Sequence, residues 1–540
     1  ERTPTETEIS MTNVPRILNF TEGDRLAPMY TGNLPCNLTL NDPDGIEIYS
    51  GPAVEIEIES PRLWWCTGQG EQALYTWTLS GENDVKSGTI GFRKVKLVMN
   101  EGAWAEPAGF PKTRSCPPAT IELNGRRIFA KGSNYVNHQV WIGTLDDEEY
   151  LEQINLAKEA HMNIFRCWGG AGVQKEVFYE LCDREGILIW LEFPLACNNY
   201  PDDPHYLKIL EQEATAIIKK LRHHASIVIW CGGNELFNSW SGMTEQSLPL
   251  RLLEKLCYEL SPEIPYIMTS PLYGMKHGGY TFIDGSTGLD PFALFKTAHG
   301  TTYTEFGCPG TASPEVLRKI IPENELYPPK PGGAWEAHHA FNAWNGGNDH
   351  AWLCPKTLYR FGDIHDLESL CETSAWLQGM GYKAIFETAR MQWPYCSMAI
   401  NWCWCEPWYC AVNNSLIGYG GEKKPAYYDV EQSLRDITPA VEVGKFMYAP
   451  GEDFKFSLWL LNDSGNDVEG GVSAFADFGD GMIRIASDYI VTEMRKNKKG
   501  ISSSVKIPAN AEKGRFTITV KAKIGEELTE NRYRFAIEKE

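Results

Sequence analysis

The chain has 540 residues, enough for about three to four domains of ~150 residues each. Hydrophobic residues make up 43% and charged residues 22%, a balance that excludes wholesale disorder. The net charge is −21 without any basic stripe, so we predict no nucleic-acid partner. The longest apolar runs, such as 187–193, are much shorter than the ~20 residues that span a bilayer, so we predict no membrane segment.

The fifteen cysteines are scattered along the chain, without a C-x-x-C motif or paired metal-binding doublets. Several of them, including Cys167, Cys231 and Cys403, lie in apolar runs, where cysteine acts as a small buried hydrophobe. We therefore expect mainly free thiols, which favour a reducing compartment. This predicts a cytoplasmic location and leaves a secreted or periplasmic one as the alternative.

Residues 1–98 are predicted to form an all-β domain. Apolar and polar residues alternate over 54–58 and 74–79, with Gly, Asn and Asp turns between them. Several short strands with regular turns are typical of a β-sandwich. A joint rich in Pro and Gly follows at 106–118.

Between residues 112 and 435, short apolar runs alternate with helical segments. The predicted strands are 127–134, 163–168, 186–193, 226–235, 266–270, 301–307 and 397–406, and the predicted helices are 146–161, 174–184, 205–223 and 367–391. This rhythm predicts a (β/α)₈ barrel. A doubly wound sheet is the rival, but its Gly-rich G-x-G-x-x-G turn is absent. A long irregular insertion is predicted at 308–366, and alternation returns in 436–540, which we predict as a second β-sandwich.

Two glutamates follow predicted barrel strands. Glu235 comes after a buried strand and two glycines and would end the fourth strand, and Glu305 would end the seventh. Side chains at these ends meet at the mouth of a barrel. Two carboxyls across one mouth are the groups that hydrolyse glycosides, about 5–5.5 Å apart if the enzyme retains configuration. Alternatively, either glutamate caps a strand or pairs with an arginine.

Three motifs resemble glycoside hydrolase family 2, specifically its β-mannosidase-like branch: WCGGNE at 230–235, TEFG at 304–307 and RCWGG at 166–170. FYELCDREGILIW at 178–190, RHHASI at 222–227 and PRLWW at 61–65 extend the resemblance, which covers about residues 50–430. It implies a (β/α)₈ TIM barrel flanked by immunoglobulin-like β-sandwich domains.

The resemblance also implies roles for individual residues. Glu235 would be the acid/base and Glu305 the nucleophile. Asn234 would bind the sugar 2-hydroxyl, and Arg166 would keep Glu305 ionised by charge pairing. For Arg166 the alternative is a structural salt bridge within the barrel.

Five further residues have open roles. Trp402 resembles the aromatic platform beneath the sugar, with core packing as the alternative and Trp404 as a competitor for the role. Trp168 could form a wall of the pocket. Asn134, at the end of the first strand, could contact the sugar or hold a loop, and Glu192, at the end of the third, could contact substrate or be structural.

The insertion carries His338 and His339 close to Trp335. Adjacent histidines do not share a helix face, so we predict a lid or subsite wall there and no metal site. The predicted chemistry requires no cofactor.

The leading hypothesis is an exo-acting, retaining β-glycosidase of β-mannosidase-like type that removes a terminal non-reducing sugar by double displacement. Alternatives are β-galactosidase, β-glucuronidase, exo-β-glucosaminidase or arabino/galactofuranosidase activity, because Glu406 stands where the commonest β-mannosidase pattern has Asp. A non-catalytic carbohydrate-binding protein is a further alternative, although it predicts the loss of Glu235 or Glu305. The family normally begins with a jelly-roll domain, so we expect such an N-terminal segment or a second chain as a partner.

Overall fold

The computed structural model describes residues 15–21, 23–28, 36–82, 84–103, 116–342 and 352–538. For 15–21 and 23–28 the description covers the backbone alone. Among the helices of these ranges, none combines the length and the apolar character needed to cross a bilayer.

The described residues of the first domain form two antiparallel sheets. Its strands are β1 (Pro15–Thr21), β2 (Gly23–Pro28), β3 (Asn37–Asn41), β4 (Glu47–Pro52), β5 (Ile56–Ile58), β6 (Leu74–Ser80) and β7 (Val85–Gly91). One sheet has the order β1-β2-β5 and the other β4-β3-β6-β7. Tyr75, Trp77 and Leu79 alternate along β6 and lie in the domain core, as the period-two pattern predicts.

A small antiparallel sheet follows, made of β8 (Val95–Val98), β9 (Thr120–Leu123) and β10 (Arg126–Ile128). Val95 and Ile121 share a hydrophobic cluster with Ile164 and Leu188 of the barrel strands. Strand β8 therefore packs with the barrel, although it lies within the predicted first domain.

In the part of the barrel region that the structure describes, 116–342 and 352–435, there are ten short strands: β11 (Ala130–Tyr135), β12 (Ile164–Cys167), β13 (Leu188–Glu192), β14 (Ile227–Cys231), β15 (Tyr266–Ile267), β16 (Met275–Lys276), β17 (Thr302–Tyr303), β18 (Gly310–Thr311), β19 (Met398–Asn401) and β20 (Val412–Asn413). Eight of them form one sheet in the order β15-β14-β13-β12-β11-β19-β17-β16, with parallel pairing throughout. Every residue of β12, β13 and β14 is buried, which explains their continuous apolar runs.

The described residues form ten helices around these strands: α1 (Asp147–Glu159), α2 (Glu176–Glu185), α3 (Pro204–Leu221), α4 (Leu248–Leu260), α5 (Pro291–Thr297), α6 (Pro314–Ile320), α7 (Gly333–Ala337), α8 (Pro355–Phe361), α9 (Leu367–Met391) and α10 (Pro425–Leu434). A capping box formed by Asp146 and Glu149 begins α1, and one formed by Asp366 and Ser369 begins α9. These caps satisfy backbone N–H groups that a helix start leaves free. The four predicted helices are confirmed as α1, α2, α3 and α9.

Three expectations about the barrel elements were wrong. The predicted strand 127–134 is interrupted at Phe129, so β10 and β11 belong to different sheets. The insertion 308–366 is not irregular, because it contains α6, α7 and α8. The sixth barrel strand, β16, was missed because its two residues lie between Gly274 and Gly278, whereas the equally short β15 and β17 lie within longer runs of strand-forming residues.

The C-terminal region is a second two-sheet structure made of β21 (Ile437–Val443), β22 (Met447–Tyr448), β23 (Asp453–Asn462), β24 (Val468–Asp477), β25 (Met482–Thr492), β26 (Lys498–Lys506), β27 (Gly514–Ile524) and β28 (Glu527–Ile537). The sheet orders are β21-β23-β26 and β22-β28-β27-β24-β25. Phe454, Phe516 and Phe535 pack together in its core. The predicted fold class, a TIM barrel with flanking β-sandwiches, is thus confirmed, whereas the exact domain bounds stay predictions.

Candidate active site

Arg166 joins the ends of five barrel strands. From β12 its Nη1 contacts Glu305 Oε1 at 2.6 Å and donates to Asn134 Oδ1 at 2.5 Å. Its Nη2 donates to Glu192 Oε1 and to Asn234 Oδ1, each at 2.6 Å. One fully buried guanidinium therefore brings together five of the predicted site residues, itself included.

The charges around Glu305 keep this carboxyl ionised. Burial raises the pKa of Glu305, but His277, Arg166 and a hydrogen bond from Tyr280 together lower it to about 2. Burial also lowers the pKa of Arg166, which Glu192 and Glu305 raise overall. An ionised carboxylate at neutral pH is the form that a nucleophile requires.

His277 and Tyr280 belong to the site, although sequence reasoning missed both. His277 Nε2 lies 3.1 Å from Glu235 Oε1 and 3.0 Å from Glu305 Oε2, so these two oxygens are no more than about 6 Å apart. The Tyr280 hydroxyl donates a hydrogen bond to Glu305 Oε2. Both residues follow β16, and the missing sixth strand of an eight-strand count was the one signal that could have drawn attention to them.

Two glycines allow the end of β14 to approach its neighbours closely. A Cβ on Gly232 would lie 2.2 Å from the Met268 carbonyl oxygen, and one on Gly233 would lie 2.3 Å from that of Leu195. Glu235 follows with a φ of +54°. Its side chain is 19% exposed, against 5% for Glu305, so Glu235 is the more accessible carboxyl of the pair.

The aromatic candidates separate into a pocket pair and a core residue. The rings of Trp168 and Trp402 meet edge to face at 5.2 Å, and both residues are partly exposed. The Trp402 amide donates to the carbonyl of Phe306, next to Glu305. Trp404 is fully buried and its Nε1 donates to Gln153 Oε1 at 2.9 Å. Trp402 is therefore better placed than Trp404 to serve as the platform.

The side chains of Asn134 and Glu192 form hydrogen bonds within the protein. Asn134 Nδ2 donates to the carbonyls of Thr304 and Asn401 at 3.0 and 3.1 Å, and Glu192 Oε2 accepts from the Gly169 amide at 2.9 Å. Both side chains are buried. Their contacts support Arg166, and a direct contact of either residue with substrate stays a prediction.

The insertion packs against the loop after β19. His338 stacks on Trp408 with the ring centroids 5.5 Å apart, whereas Trp335 is buried. Glu406 is also buried and pairs with Lys424 at 2.6 Å. The role of the insertion as a lid or subsite wall stays a prediction.

We expect replacement of His277 by Asn to raise the pKa of Glu305, because the variant loses the largest interaction that lowers it. A lowered carboxyl pKa stabilises the fold above the unfolded value of about 4.3, and this contribution of Glu305 is lost as the pH falls towards 2. Because the nucleophile must be ionised in the free enzyme, the higher pKa of Glu305 should also move the acidic limb of the pH profile of kcat/KM to higher pH in the variant. The exposed His365, changed to Asn, is the control, and an unmoved limb would contradict the role of His277.

Cys197 is a third residue of the site that the sequence did not predict. Its thiol donates to Glu235 Oε2 at 3.4 Å and accepts from Asn234 Nδ2 at 3.2 Å. Burial and Glu235 raise the pKa of Cys197 to about 12, so the thiol stays protonated. We expect Cys197→Ala to lower kcat by up to about tenfold, consistent with ~1 kcal/mol for one hydrogen bond, and Cys197→Ser to retain most activity. Equal losses in both variants would indicate a packing role instead.

Comparisons with known proteins identify the family that this chain resembles. Residues 118–248 match the model of the TIM barrel domain of glycosyl hydrolases family 2. The chain is 24% identical over 460 residues to Beta-mannosidase B of Emericella nidulans, covering 77% of this chain and 52% of that protein. It is 26% identical over 435 residues to Beta-mannosidase B of Thermothelomyces thermophilus, covering 73% and 49%. The chain thus spans about half the length of the curated relatives it matches.

Solved structures share the same fold. A β-D-mannosidase from Dictyoglomus thermophilum superposes with a TM-score of 0.79 at 24% identity, covering 97% of this chain and 66% of that one. An exo-chitosanase from Amycolatopsis orientalis gives 0.72 at 13% identity, covering 97% and 63%. At these identities the likeness is evidence for the shared architecture alone.

Proposed function

We propose that this chain, which carries the TIM barrel domain of glycoside hydrolase family 2, is an exo-acting, retaining β-glycosidase of β-mannosidase-like type. The observation that carries the proposal is the pair Glu235 and Glu305, both about 3 Å from the same nitrogen of His277. The resulting limit on their separation is compatible with the ~5–5.5 Å of retaining enzymes. Its substrate is a carbohydrate.

The chemistry proceeds in two displacements. A Glu305 oxygen attacks the anomeric carbon while Glu235 gives its proton to the glycosidic oxygen, so the bond to the leaving group breaks and a glycosyl ester forms. Glu235, now a carboxylate, then takes a proton from water as the water oxygen attacks the same carbon. This step releases the sugar, restores the Glu305 carboxylate and retains the anomeric configuration.

Asn234 is suited to bind the 2-hydroxyl of the sugar. Its carbonyl oxygen accepts from Arg166 and one Nδ2 hydrogen is used by Cys197. Because an amide nitrogen carries two hydrogens, the second one is available for the hydroxyl. The hydrogen bond from Arg166 thus fixes the orientation of the Asn234 side-chain amide.

A panel of 4-nitrophenyl β-glycosides that differ only in the sugar tests the proposal. We expect the β-mannoside to have the highest kcat/KM and the first product detected by NMR to be the β-anomer. A higher value for the galactoside, glucuronide, glucosaminide or a furanoside would select that alternative specificity. Binding of oligosaccharides without hydrolysis of any glycoside in the panel would favour the non-catalytic carbohydrate-binding alternative.

We also propose that the protein resides in a reducing compartment such as the cytoplasm. None of the fifteen cysteines forms a disulfide within the described residues, which supports the proposal. We expect titration of the unfolded, non-reduced chain to detect nearly all 15 thiols. Detection of only a few thiols would contradict this location.

The partner expected from the resemblance, an N-terminal jelly-roll segment or a second chain, stays a proposal. Such a segment would cover part of the barrel mouth beside the partly exposed Trp168 and Trp402. The native mass of the purified active protein tests it. Full activity of a 60.8 kDa monomer without a companion would contradict it.

A further inference from the structure

Away from the active site, Glu176, His223 and His224 converge beside helices α2 and α3. Each offers one donor atom, and the three atoms lie within 4.8 Å of one another. Glu176 is the first residue of α2, and the two histidines follow the end of α3. We propose that these three residues form a binding site for a divalent metal ion, with zinc as the preferred ion.

His224 is held as metal-binding histidines commonly are. Its Nδ1 lies 2.7 Å from Asp183 Oδ2, and the other Asp183 oxygen accepts from the Ser226 amide at 2.7 Å. A carboxylate on one ring nitrogen orients the ring and makes the other nitrogen a better ligand. That other nitrogen, Nε2, is buried and has no hydrogen-bond partner among the described residues, in a residue only 1% exposed.

His223 is next to His224 in the turn after α3, so the two rings are not separated around a helix. Their centroids are 4.1 Å apart. Adjacent histidines within a helix point to different faces, whereas these two lie outside the helix and are not separated in that way. Sequence reasoning overlooked the pair because Glu176 is distant along the chain.

Glu176 supplies the third donor and a path from solvent. Its side chain is 26% exposed, and its only described ion pair is with Lys220 Nζ at 3.7 Å. A long, exposed ion pair of this kind contributes little to stability, so a metal ion can replace the lysine at low cost.

Two imidazole nitrogens and one carboxylate oxygen form a donor set that suits zinc, with water in the fourth tetrahedral position. Zinc bonds of about 2.1 Å place tetrahedral donors about 3.4 Å apart, so donors that lie within 4.8 Å of one another close by at most about 1.4 Å. His223 and Glu176 are both partly exposed, whereas His224 is anchored by Asp183, so the first two would supply this movement. A bound ion would connect α2 to the turn that precedes β14, the strand that leads to Asn234 and Glu235.

Titration of the untagged full chain with zinc alone, in competition with a chromophoric chelator, tests the site. We expect one zinc per chain, and a loss of affinity of at least about tenfold in His223→Ala and a measurable loss in Glu176→Gln. His205→Ala on α3 and Glu180→Gln on α2 change exposed residues of the same helices and should leave zinc affinity unchanged. Zinc should also raise the Tm of the wild type and not that of His223→Ala.

Two outcomes would overturn the proposal. One is equal zinc affinity, or no measurable uptake, in the wild type and in His223→Ala. The other is a loss of zinc binding in Cys197→Ala, which would assign the ion to the catalytic mouth. A cobalt(II) spectrum with a thiolate charge-transfer band would point to cysteine ligands in the same way, because histidine and carboxylate donors give none.

Discussion

Glu305→Gln is expected to lower kcat/KM for every hydrolysed aryl β-glycoside by about 10⁴-fold or more, as the loss of a nucleophile does in enzymes that form covalent intermediates. The amide cannot form the glycosyl ester, and it loses the charge that Arg166 and His277 stabilise in the wild type. Initial rates of both proteins on the preferred glycoside measure the effect. Glu315→Gln, an exposed change on α6, is the control and should keep wild-type rates.

Covalent trapping separates the loss of a nucleophile from the loss of a folded site. A 2-deoxy-2-fluoro glycoside of the preferred sugar, with a good leaving group, should leave its sugar on the peptide that contains Glu305. Peptide mass analysis of the trapped wild type identifies the labelled residue. A label on the peptide that contains Glu235 would mean that Glu235, and not Glu305, is the nucleophile.

The long elements of the fold could be predicted because their patterns extend over many residues. Helix α9 begins and ends where its apolar pattern predicted, at Leu367 and Met391. The sequence of strand β14 is a continuous apolar run because both faces of the strand are buried. Strand β16 has two residues between Gly274 and Gly278. It lacks the neighbouring β-branched and aromatic residues that revealed the equally short β15 and β17.

The same contrast applies to the site. Glu235 and Glu305 could be predicted because each follows a recognisable run of strand-forming residues, whereas His277 and Tyr280 follow β16 and were missed with it. Trp402 and Trp404 could not be distinguished, because residues two apart share a face under strand periodicity. Their packing distinguishes them, because Trp404 is buried and donates a hydrogen bond to Gln153 on α1.

The central position of Arg166 has a consequence for any change at the site. Its guanidinium lies within hydrogen-bonding distance of four side chains from four other strands. Truncating it would leave the buried Glu192 and Glu305 without their common partner, which costs about 3–5 kcal/mol for a broken buried pair. Among the described residues, the Glu235 side chain makes its hydrogen bond and ion pair with Cys197 and His277 and not with these groups, so it can be changed with less risk to the fold.

Glu235→Ala is expected to have an effect that depends on the leaving group. A poor leaving group, such as a second sugar, needs a proton when its bond breaks, so the variant should lose about 10²–10⁴-fold in kcat/KM. A dinitrophenolate leaves without protonation, so kcat/KM for a dinitrophenyl glycoside should fall far less. The ratio of the two losses measures general-acid catalysis separately from binding.

The second displacement provides an independent measurement on the same variant. Without a base at position 235, water attacks the glycosyl ester slowly, so turnover of the dinitrophenyl glycoside should become limited by release of the sugar. Azide is a nucleophile that needs no deprotonation, and the space left by the glutamate side chain opens towards solvent, since Glu235 is the more exposed carboxyl of the pair. Added azide should therefore restore kcat and yield the β-glycosyl azide, identified by NMR. Equal losses for both leaving groups, together with no response to azide, would remove Glu235 from the acid/base role.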